Sequence, residues 1–583
     1  MNQARRIRDY WAGSFLLSFL TLVIAQELKR RKANILLPGI PDHLLDLLAG
    51  NGQAVRDLGL PNRITAKLPD GADPQEIADA CVMKLRTVWK ELAELVWKND
   101  LAHISSPDTR KIFERQVKDF WDVQYVVSES AAEPVLDMRK NWRMHYRSDE
   151  PGVKCALIAG LQELSGTKTD SAALRDFWAK LKKTIDRYGY DLQEGEHLSA
   201  IAFIKRRFVH YFDQLKIEQV DMVVRGWTLE FQAPSPASLA AVPWLRRGLE
   251  LVGDSGDFSD LRAAAKNHGS FKGVNAELAY DDAPGADEDE GTKQFRSRLR
   301  AFVDAARAKD GRFPAMPDRY HALLVMDGDR MGALLAKGDA TAQGSLLTSC
   351  LDAFTGKVPE IVQKHDGFLV YAGGDDVLAL LPKSSALDCA ARLRETYNQA
   401  FAAKGVTATI SAGIVYAGIK EPLGHVIRKG HEILDIRAKD LANRDALAIS
   451  VLKGGSENLS WTVRWNDLPL SGNRSMVNEL AARLSPEGDI SSGLVYRLRE
   501  LVGKMAPVGE EPPPGQIDEL LQGLFKAEIL QSQSGNRLSS SAASEEARKM
   551  VRLCSCGVTG SNYRYDAAPL MYARFISSSV EAG

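Results

Sequence analysis

The order of elements between residues 320 and 455 constrains this chain most. "YHALLVMD" has the apolar run of a buried strand, "GSLLTSCLDAFTGKVPEIVQKH" reads as a helix, and "GFLVYA" with "VLALLP" reads as a hairpin. A helix at "SALDCAARLRETYNQAFAAK", a strand at "VTATISAGIVYA", a helix at "PLGHVIRKGHEILDIRAKDLA" and a strand at "ALAISVL" follow. That is β-α-β-β-α-β with one α-β unit added, the split βαβ arrangement of a ferredoxin-like palm. In this topology the first and third strands are sheet neighbours. The first strand ends in "VMDGDRMG", which puts Asp327 and Asp329 at its carboxyl end, so Asp327 can meet the hairpin tip Gly373-Gly374-Asp375-Asp376.

Strands that are apolar on both faces are buried, and carboxylates gathered at their ends repel one another unless neutralised. A hard divalent cation, Mg²⁺ or Mn²⁺, supplies the neutralisation, because it takes oxygen ligands and needs only one or two carboxylates beside substrate phosphates. Two such ions would stabilise both the attacking and the leaving oxygen of an in-line phosphoryl displacement. Gly373 and Gly374 lack Cβ atoms, which permits unusual turn dihedrals and close approach of a phosphate or ribose to the backbone. An ordinary hairpin turn would account for the Gly-Gly-Asp-Asp alone. It would not account for the acidic strand end expected beside it.

Lys439 in "IRAKD" lies on the helix before the last palm strand, in reach of a triphosphate, although a lone helix lysine also reads as a surface residue. Ser411 and Gly413 in "ISAGI" either leave room for a base or mark a bulge. His365-Asp366 is the one His-Asp dipeptide among ten histidines. Without a second such pair it reads as a capping turn, not a phosphohydrolase centre. No side chain stands out as a general base.

At 583 residues the chain exceeds one ordinary domain, and about 100 to 200 residues per domain suggests three to five. Hydrophobic residues make up 45% and charged residues 26%, with Lys+Arg 75 against Asp+Glu 76, so the formal net charge is -1. That balance excludes a histone-like polycation, and any nucleic-acid contact falls to local patches such as Lys29-Arg30-Arg31-Lys32 and Lys205-Arg206-Arg207, or to partners. Both basic runs also read as solvated helix faces. The six cysteines include no CxxC unit, which makes structural zinc improbable and fits a reducing, cytoplasmic setting.

Near the N-terminus, Trp11 to Ala25 is an uninterrupted stretch after basic residues, in the manner of a signal peptide. It is shorter than the roughly 20 residues that span a bilayer. Ser14, Ser18, Thr21 and Ala25 form a small-residue stripe with apolar residues around the rest, which predicts a buried helix. Polar or Pro/Gly-rich linkers are expected at 280–292, 506–516 and 531–548.

"YAGGDDVLALLP", "ALLVMDGDRMG", "SAGIVYAGIKEPL" and "RAKD...ALAISVLK" together resemble the catalytic palm of the large polymerase/cyclase subunit of type III-B, Cmr-type CRISPR effector complexes. "RDYWAGSFLLSFL", "ILLPG" and "LPNR" resemble that subunit's first palm-like domain, and "LSAIAFIKRRF" and "SPASLAAVPWL" its helical middle. The resemblance implies an α+β fold: a first, non-catalytic palm-like domain (1–150), a mainly helical middle (151–318), a catalytic palm (319–455) and a helical C-terminal domain (456–583). It implies metal-binding carboxylates at Asp327, Asp375 and Asp376, with the Gly328 backbone as a further possible ligand. Gly373, Gly374 and Ser411 would shape the nucleotide site, and Lys439 would hold phosphate.

The implied activity is RNA-triggered synthesis of cyclic oligoadenylate from ATP, in a complex with other Cmr-type subunits, guide RNA and target RNA, and away from membranes. Some relatives join AMP to S-adenosylmethionine instead, and ring size and acceptor are not separable from sequence. Because the chain begins directly at the first palm, HD nuclease activity is expected to be absent; the single Cys155 makes the family's middle zinc site doubtful. A diguanylate cyclase is a rival reading, although Val377 follows the second acid where that family has Glu-Phe. A non-catalytic scaffold is another.

Overall fold

The computed structural model describes residues 6–118, 120–129, 149–169, 172–185, 191–192, 195–219, 222–229, 233–253, 258–266, 276–280, 290–335, 340–468, 470–471, 474–485, 490–504, 514–531, 538–555 and 565–578. They form two compact units. One comprises residues 1–233, 330–356 and 370–374; the other comprises 234–329, 357–369 and 375–583. The fold is α+β. The linkers expected at 280–292 and 506–516 lie largely outside the described residues.

The first unit is built on the helix Ile7–Arg30, 24 residues long. It is long and apolar enough to cross a membrane, yet 78% of its most apolar window is buried inside the protein. Its small stripe is all buried, with Ser14 at 3%, Ser18 at 2%, Thr21 at 5% and Ala25 at 0% exposure. Small side chains let neighbouring backbone come close, and Ser18 Oγ donates to the Leu60 carbonyl at 2.7 Å. On other sides Phe15 and Phe19 pack against Phe212 and Trp227, edge to face. The helix is thus a core element.

The run Lys205-Arg206-Arg207 is neither a nucleic-acid patch nor a solvated face in its two arginines. Arg206 is fully buried; its guanidinium donates to Asp9 (2.8 Å) and Glu196 (2.5 Å) and to the Asp191 carbonyl (2.8 Å). Arg207 binds Asp100 bidentately at 2.8 and 3.0 Å and also reaches Asp191 and Tyr211. Burial would discharge isolated ions, so each arginine is matched to carboxylates. In the other basic run, Lys29 pairs with Asp42, Arg30 with Glu27, and Arg31 with Glu27 and Glu76.

Two expectations for this region need correction. The strand β1 (Asn34–Leu37) pairs with β2 (Thr65–Lys67), and β3 (Lys216–Gln219) with β4 (Met222–Arg225), each as a two-stranded sheet. A complete first palm sheet within 1–150 is therefore not present among the described residues. Nor is residue 150 a boundary. Gln116, on the helix Pro107–Lys118, donates to Glu150 (2.6 Å) and the Gln162 carbonyl (2.9 Å) and accepts from the Ala200 N–H (2.8 Å).

The predicted palm is present. Its strands are β5 (Tyr320–Gly328), β6 (Phe368–Gly373), β7 (Asp376–Pro382), β8 (Ile410–Gly418) and β9 (Ala446–Lys453), in sheet order β10-β9-β8-β5-β7-β6 with β10 (Ser456–Arg464) at the far edge. β5 is antiparallel to both β7 and β8, and β8 is parallel to β9. The helix expected before the hairpin is two helices, Ala340–Thr355 and Val358–Lys364, parted at Gly356. β10 places the first residues of the region read as mostly helical from 456 in the palm sheet: it pairs with β9 from Ser456↔Lys453 to Arg464↔Ala446. Of the loop expected at 531–548, residues 532–537 lie outside the described residues, and 540–548 belong instead to the helix Ser540–Cys554, capped by Ser539.

Helix Leu423–Glu432 lies against the sheet at glycine-to-glycine distance. A Cβ on Gly413 would stand 2.9 Å from the Gly430 carbonyl, and one on Gly430 would stand 3.0 Å from Leu323 and Val325. Gly413 therefore marks close helix packing, neither a bulge nor a base pocket.

Candidate active site at the palm strand ends

Pairing of Met326 with Val377 brings the next residue of β5, Asp327, beside the first residue of β7, Asp376. The two carboxyls interact at close range, and the interaction is felt at Asp376. Although this residue is solvent-accessible, packing around its carboxyl pushes its pKa well above the usual range, and the charges of Asp327 and Asp375 push it further; Lys439 opposes them. Lys439 lies on a π-helical segment, Ile433–Leu441, and its ammonium donates directly to Asp327 Oδ1.

Asp375 approaches from the other side of the strand end. A Cβ on Gly328 would fall 2.7 Å from Asp375 Cβ and 2.8 Å from the Tyr397 hydroxyl. Gly328 thus makes room for Asp375.

Asp329 is two residues from Asp327 but does different work. It is 5% exposed. Its Oδ1 accepts from Ser411 Oγ at 2.8 Å, and its Oδ2 accepts from Thr409 Oγ1 at 2.7 Å and from the Asp445 N–H at 3.0 Å. Its own N–H donates to the Thr409 carbonyl at 2.9 Å. Ser411, expected at the nucleotide, is fully buried and spends its hydroxyl here. That is a correction: its smallness serves Asp329, not a base.

The two turn glycines also divide. A Cβ on Gly373 would stand 2.5 Å from the Gly59 carbonyl and would collide with the Tyr371 ring, whereas Gly374 has φ +63° and nothing within 4 Å of that position. Gly373 is required by protein packing; Gly374 leaves its surroundings open to a ligand. Gly373→Ala should lower stability by about 3 kcal/mol, the upper end for overpacking because the obstacle is backbone. Gly374→Ala should lower it by about 1 kcal/mol, the left-handed backbone term alone. Urea denaturation of the two variants checks the difference.

His431 was not singled out in the sequence, and only its i, i+4, i+8 spacing with Asp435 and Lys439 could have flagged it. Burial lowers its pKa, against the charges of Asp435 and Asp327; the imidazole is neutral at pH 7. His365 and Asp366 are structural: His365 Nδ1 bonds the Ile361 carbonyl at 2.8 Å, and Asp366 pairs with Arg246 at 2.5 Å.

Among the described residues no three His, Cys, Asp or Glu side chains are gathered tightly enough to hold one ion together. The donor set nevertheless fits Mg²⁺ or Mn²⁺, which requires one or two carboxylates when phosphate oxygens complete the shell. Asp327 and Asp376, side by side at adjacent strand ends, would be that pair.

A family model described as Cas10/Cmr2, second palm domain, matches residues 320–448, and one described as CRISPR-associated protein Cmr2, N-terminal, matches residues 1–94. The CRISPR system Cmr subunit Cmr2 of Pyrococcus furiosus is 29% identical over 248 residues, 38% of this chain and 27% of the relative. The CRISPR system single-strand-specific deoxyribonuclease Cas10/Csm1 (subtype III-A) of Methanocaldococcus jannaschii is 30% identical over 135 residues, 20% of this chain and 17% of the relative. The matches thus span about a quarter or less of these curated relatives. Among solved structures, a chain of the type III-B Cmr-beta complex in its apo state aligns with a TM-score of 0.64 at 14% identity, over 99% of this chain and 80% of that one. The same complex bound to cognate target RNA gives 0.60 at 15% identity, over 99% and 81%. At these identities the likeness is one of fold.

Proposed function

We propose that this chain, which belongs to the Cas10/Cmr2 family, is the palm-bearing subunit of a cytoplasmic type III-B RNA-guided effector complex and synthesises cyclic oligoadenylate from ATP. Its partners would be other Cmr-type subunits, a guide RNA and the target RNA whose pairing triggers the reaction. One arrangement carries the reading: the carboxyls of Asp327 and Asp376 stand together at adjacent strand ends, with Lys439 donating to Asp327. An arrangement that costs stability in the protein alone is expected where a ligand relieves it.

In the proposed reaction the 3′-hydroxyl oxygen of one adenosine nucleotide bonds to the α-phosphorus of a second, the bond to pyrophosphate breaks, and the hydroxyl proton leaves. Asp327 and Asp376 would hold the metal, with Asp375 adding negative charge at the tip. A bound Mg²⁺ or Mn²⁺ would supply charge stabilisation at the transferring phosphate. Lys439 is positioned to exchange its bond to Asp327 for one to the triphosphate, while Gly374 leaves the hairpin backbone accessible.

The test is mass spectrometry of products from the assembled complex with target RNA, ATP, S-adenosylmethionine and Mg²⁺ or Mn²⁺. Oligoadenylates, linear or cyclic, are expected. An AMP conjugate of S-adenosylmethionine would keep the site and change the acceptor. GTP consumption by the isolated chain would favour a diguanylate cyclase, and the absence of any nucleotide product under full activation would leave only a scaffold role.

A further inference from the structure

Lys439 meets Asp327 at the end of a path that begins at Asp329, and the intervening backbone is unusual. Three consecutive residues without a glycine among them, Asn443, Arg444 and Asp445, have φ of +57°, +70° and +45°. L-residues disfavour this region, and a run of them persists only where surrounding contacts hold it.

Those contacts are specific. The Asp445 N–H donates to Asp329 Oδ2 at 3.0 Å, its carbonyl accepts from the Trp465 N–H at 3.0 Å, and its carboxylate faces Arg394 at 3.3 Å. The Arg444 N–H donates to the Ala438 carbonyl at 3.0 Å, immediately before Lys439. The links close a ring: Asp329 fixes Asp445, Arg444 fixes Ala438, and Lys439 returns to Asp327, two residues from the start. Asp329 faces no ligand itself. Both carboxylate oxygens are engaged by Ser411, Thr409 and Asp445.

We infer that Asp329 is a positioning residue: by holding the left-handed loop Asn443–Asp445 it sets where Lys439 stands relative to Asp327, and so whether that ammonium can receive a nucleoside triphosphate. This rests on the reading of Asp327 and Lys439 as parts of a nucleotide site. The geometric claim can be examined without nucleotide, which separates its failure from failure of that reading. Asparagine at 329 keeps the shape but has one acceptor oxygen where the carboxylate has two. It is a neutral, weaker acceptor and puts an NH2 where one carboxylate oxygen accepted, so its hold on Ser411, Thr409 and the Asp445 N–H weakens, the loop relaxes and Lys439 is released.

The experiment is amine acetylation of the full-length chain, read by mass spectrometry at Lys439 against the surface lysines Lys364 and Lys404 as internal references. Asp327→Asn, which removes the partner carboxylate, gives the rate for a released Lys439. Asp329→Asn should raise Lys439 labelling about tenfold, toward that rate, as expected for loss of one coupled contact. Adding Arg444→Gly to Asp329→Asn should restore slow labelling, because glycine adopts the left-handed conformation without support.

A merely structural role would lower the melting temperature of Asp329→Asn and leave Lys439 labelling at the wild-type rate; that result overturns the inference, as does failure of the glycine to rescue. ATP affinity is measured in parallel. Asp329→Asn and Lys439→Met should weaken it alike, and the double variant should be no weaker than either alone. Absence of ATP binding by the wild-type chain would count against the proposed function only, since labelling decides the positioning claim.

Discussion

Asp376→Asn is expected to cut product formation sharply and, at neutral pH, to make the protein more stable. The carboxyl of Asp376 is held well above its ordinary pKa by packing and by Asp327 and Asp375. The folded chain therefore binds this proton more tightly than the unfolded chain. That contribution to stability is fully present in acid, below the ordinary carboxylate pKa of about 3.9, and is lost as the pH rises through the raised folded value. Asparagine carries no charge at any pH, so the variant escapes the loss.

Without nucleotide or metal, the melting temperatures of the two proteins should converge near pH 4 and separate toward pH 7, with the variant higher. Product formation should fall about 10²- to 10³-fold, as for loss of one preorganised electrostatic contact to a transferring group. Added Mn²⁺ should then raise the melting temperature of the wild-type chain and leave that of the variant unchanged. A variant that is less stable at pH 7 would mean that Asp376 is structural, and the site assignment would fall with it.

Arg206→Met should have the largest effect on folding. Methionine approximates the stem of the arginine but removes the bidentate partner of Asp9 and the nearest counter-charge of Glu196, both nearly inaccessible to solvent, although Glu196 keeps Arg6 at 3.6 Å. Removing one partner of such a buried ion group costs about 3–5 kcal/mol. Urea unfolding of the full chain should show the loss in the first unit. Adding Asp9→Asn and Glu196→Gln should recover part of it, because the uncompensated charge causes the damage, not the lost shape.

The sign of the pH dependence reverses here. Asp9 and Asp191 lie below the usual carboxylate range: burial opposes that shift, and it is outweighed for Asp9 chiefly by Arg206 and for Asp191 by His210, Arg8 and Arg207. Their stabilisation is present at neutral pH and drains away as the pH falls below about 4. The first unit should therefore yield to acid.

The palm was legible because its strands are apolar on both faces and its helices are long, so the order of elements alone implied which strands would be neighbours. The pairing of Asp327 with the hairpin followed from that order. Hidden from the sequence was the division of labour among identical residues. Asp327 and Asp329 look alike in "MDGDRM", and only the hydrogen bonds from Ser411, Thr409 and Asp445 show that one of them is consumed by the fold. Gly373 and Gly374 look alike until the Gly59 carbonyl is placed against one and not the other.

"FIKRRF" has the look of a charged surface because its carboxylate partners lie as far away as Asp9 and Asp100, beyond any local pattern. The strand β10 did carry a signal. Leu459, Trp461 and Val463 alternate with Asn458, Ser460 and Thr462, a period of two that argued against continuing helix. That no complete first palm sheet forms among the described residues has a different cause: β1 and β2 are only four and three residues long, and residue pattern does not tell a short isolated pair from part of a larger sheet.

β5 is bonded along both edges, from Tyr320 to Gly328 on the β8 side and from His321 to Met326 on the β7 side. A strand so enclosed belongs to the part of a protein whose amides exchange with solvent only on global unfolding, whereas a sheet-edge strand such as β6 opens in smaller, cheaper fluctuations. The acids of the site are thus mounted on supports of unequal lifetime. Asp327 rides on the strand that lets go last, and Asp375 and Asp376 follow a turn whose other arm, β6, is a sheet edge. Under the proposed function, nucleotide exchange at this tip would proceed by motion of the hairpin while the register of β5 is preserved.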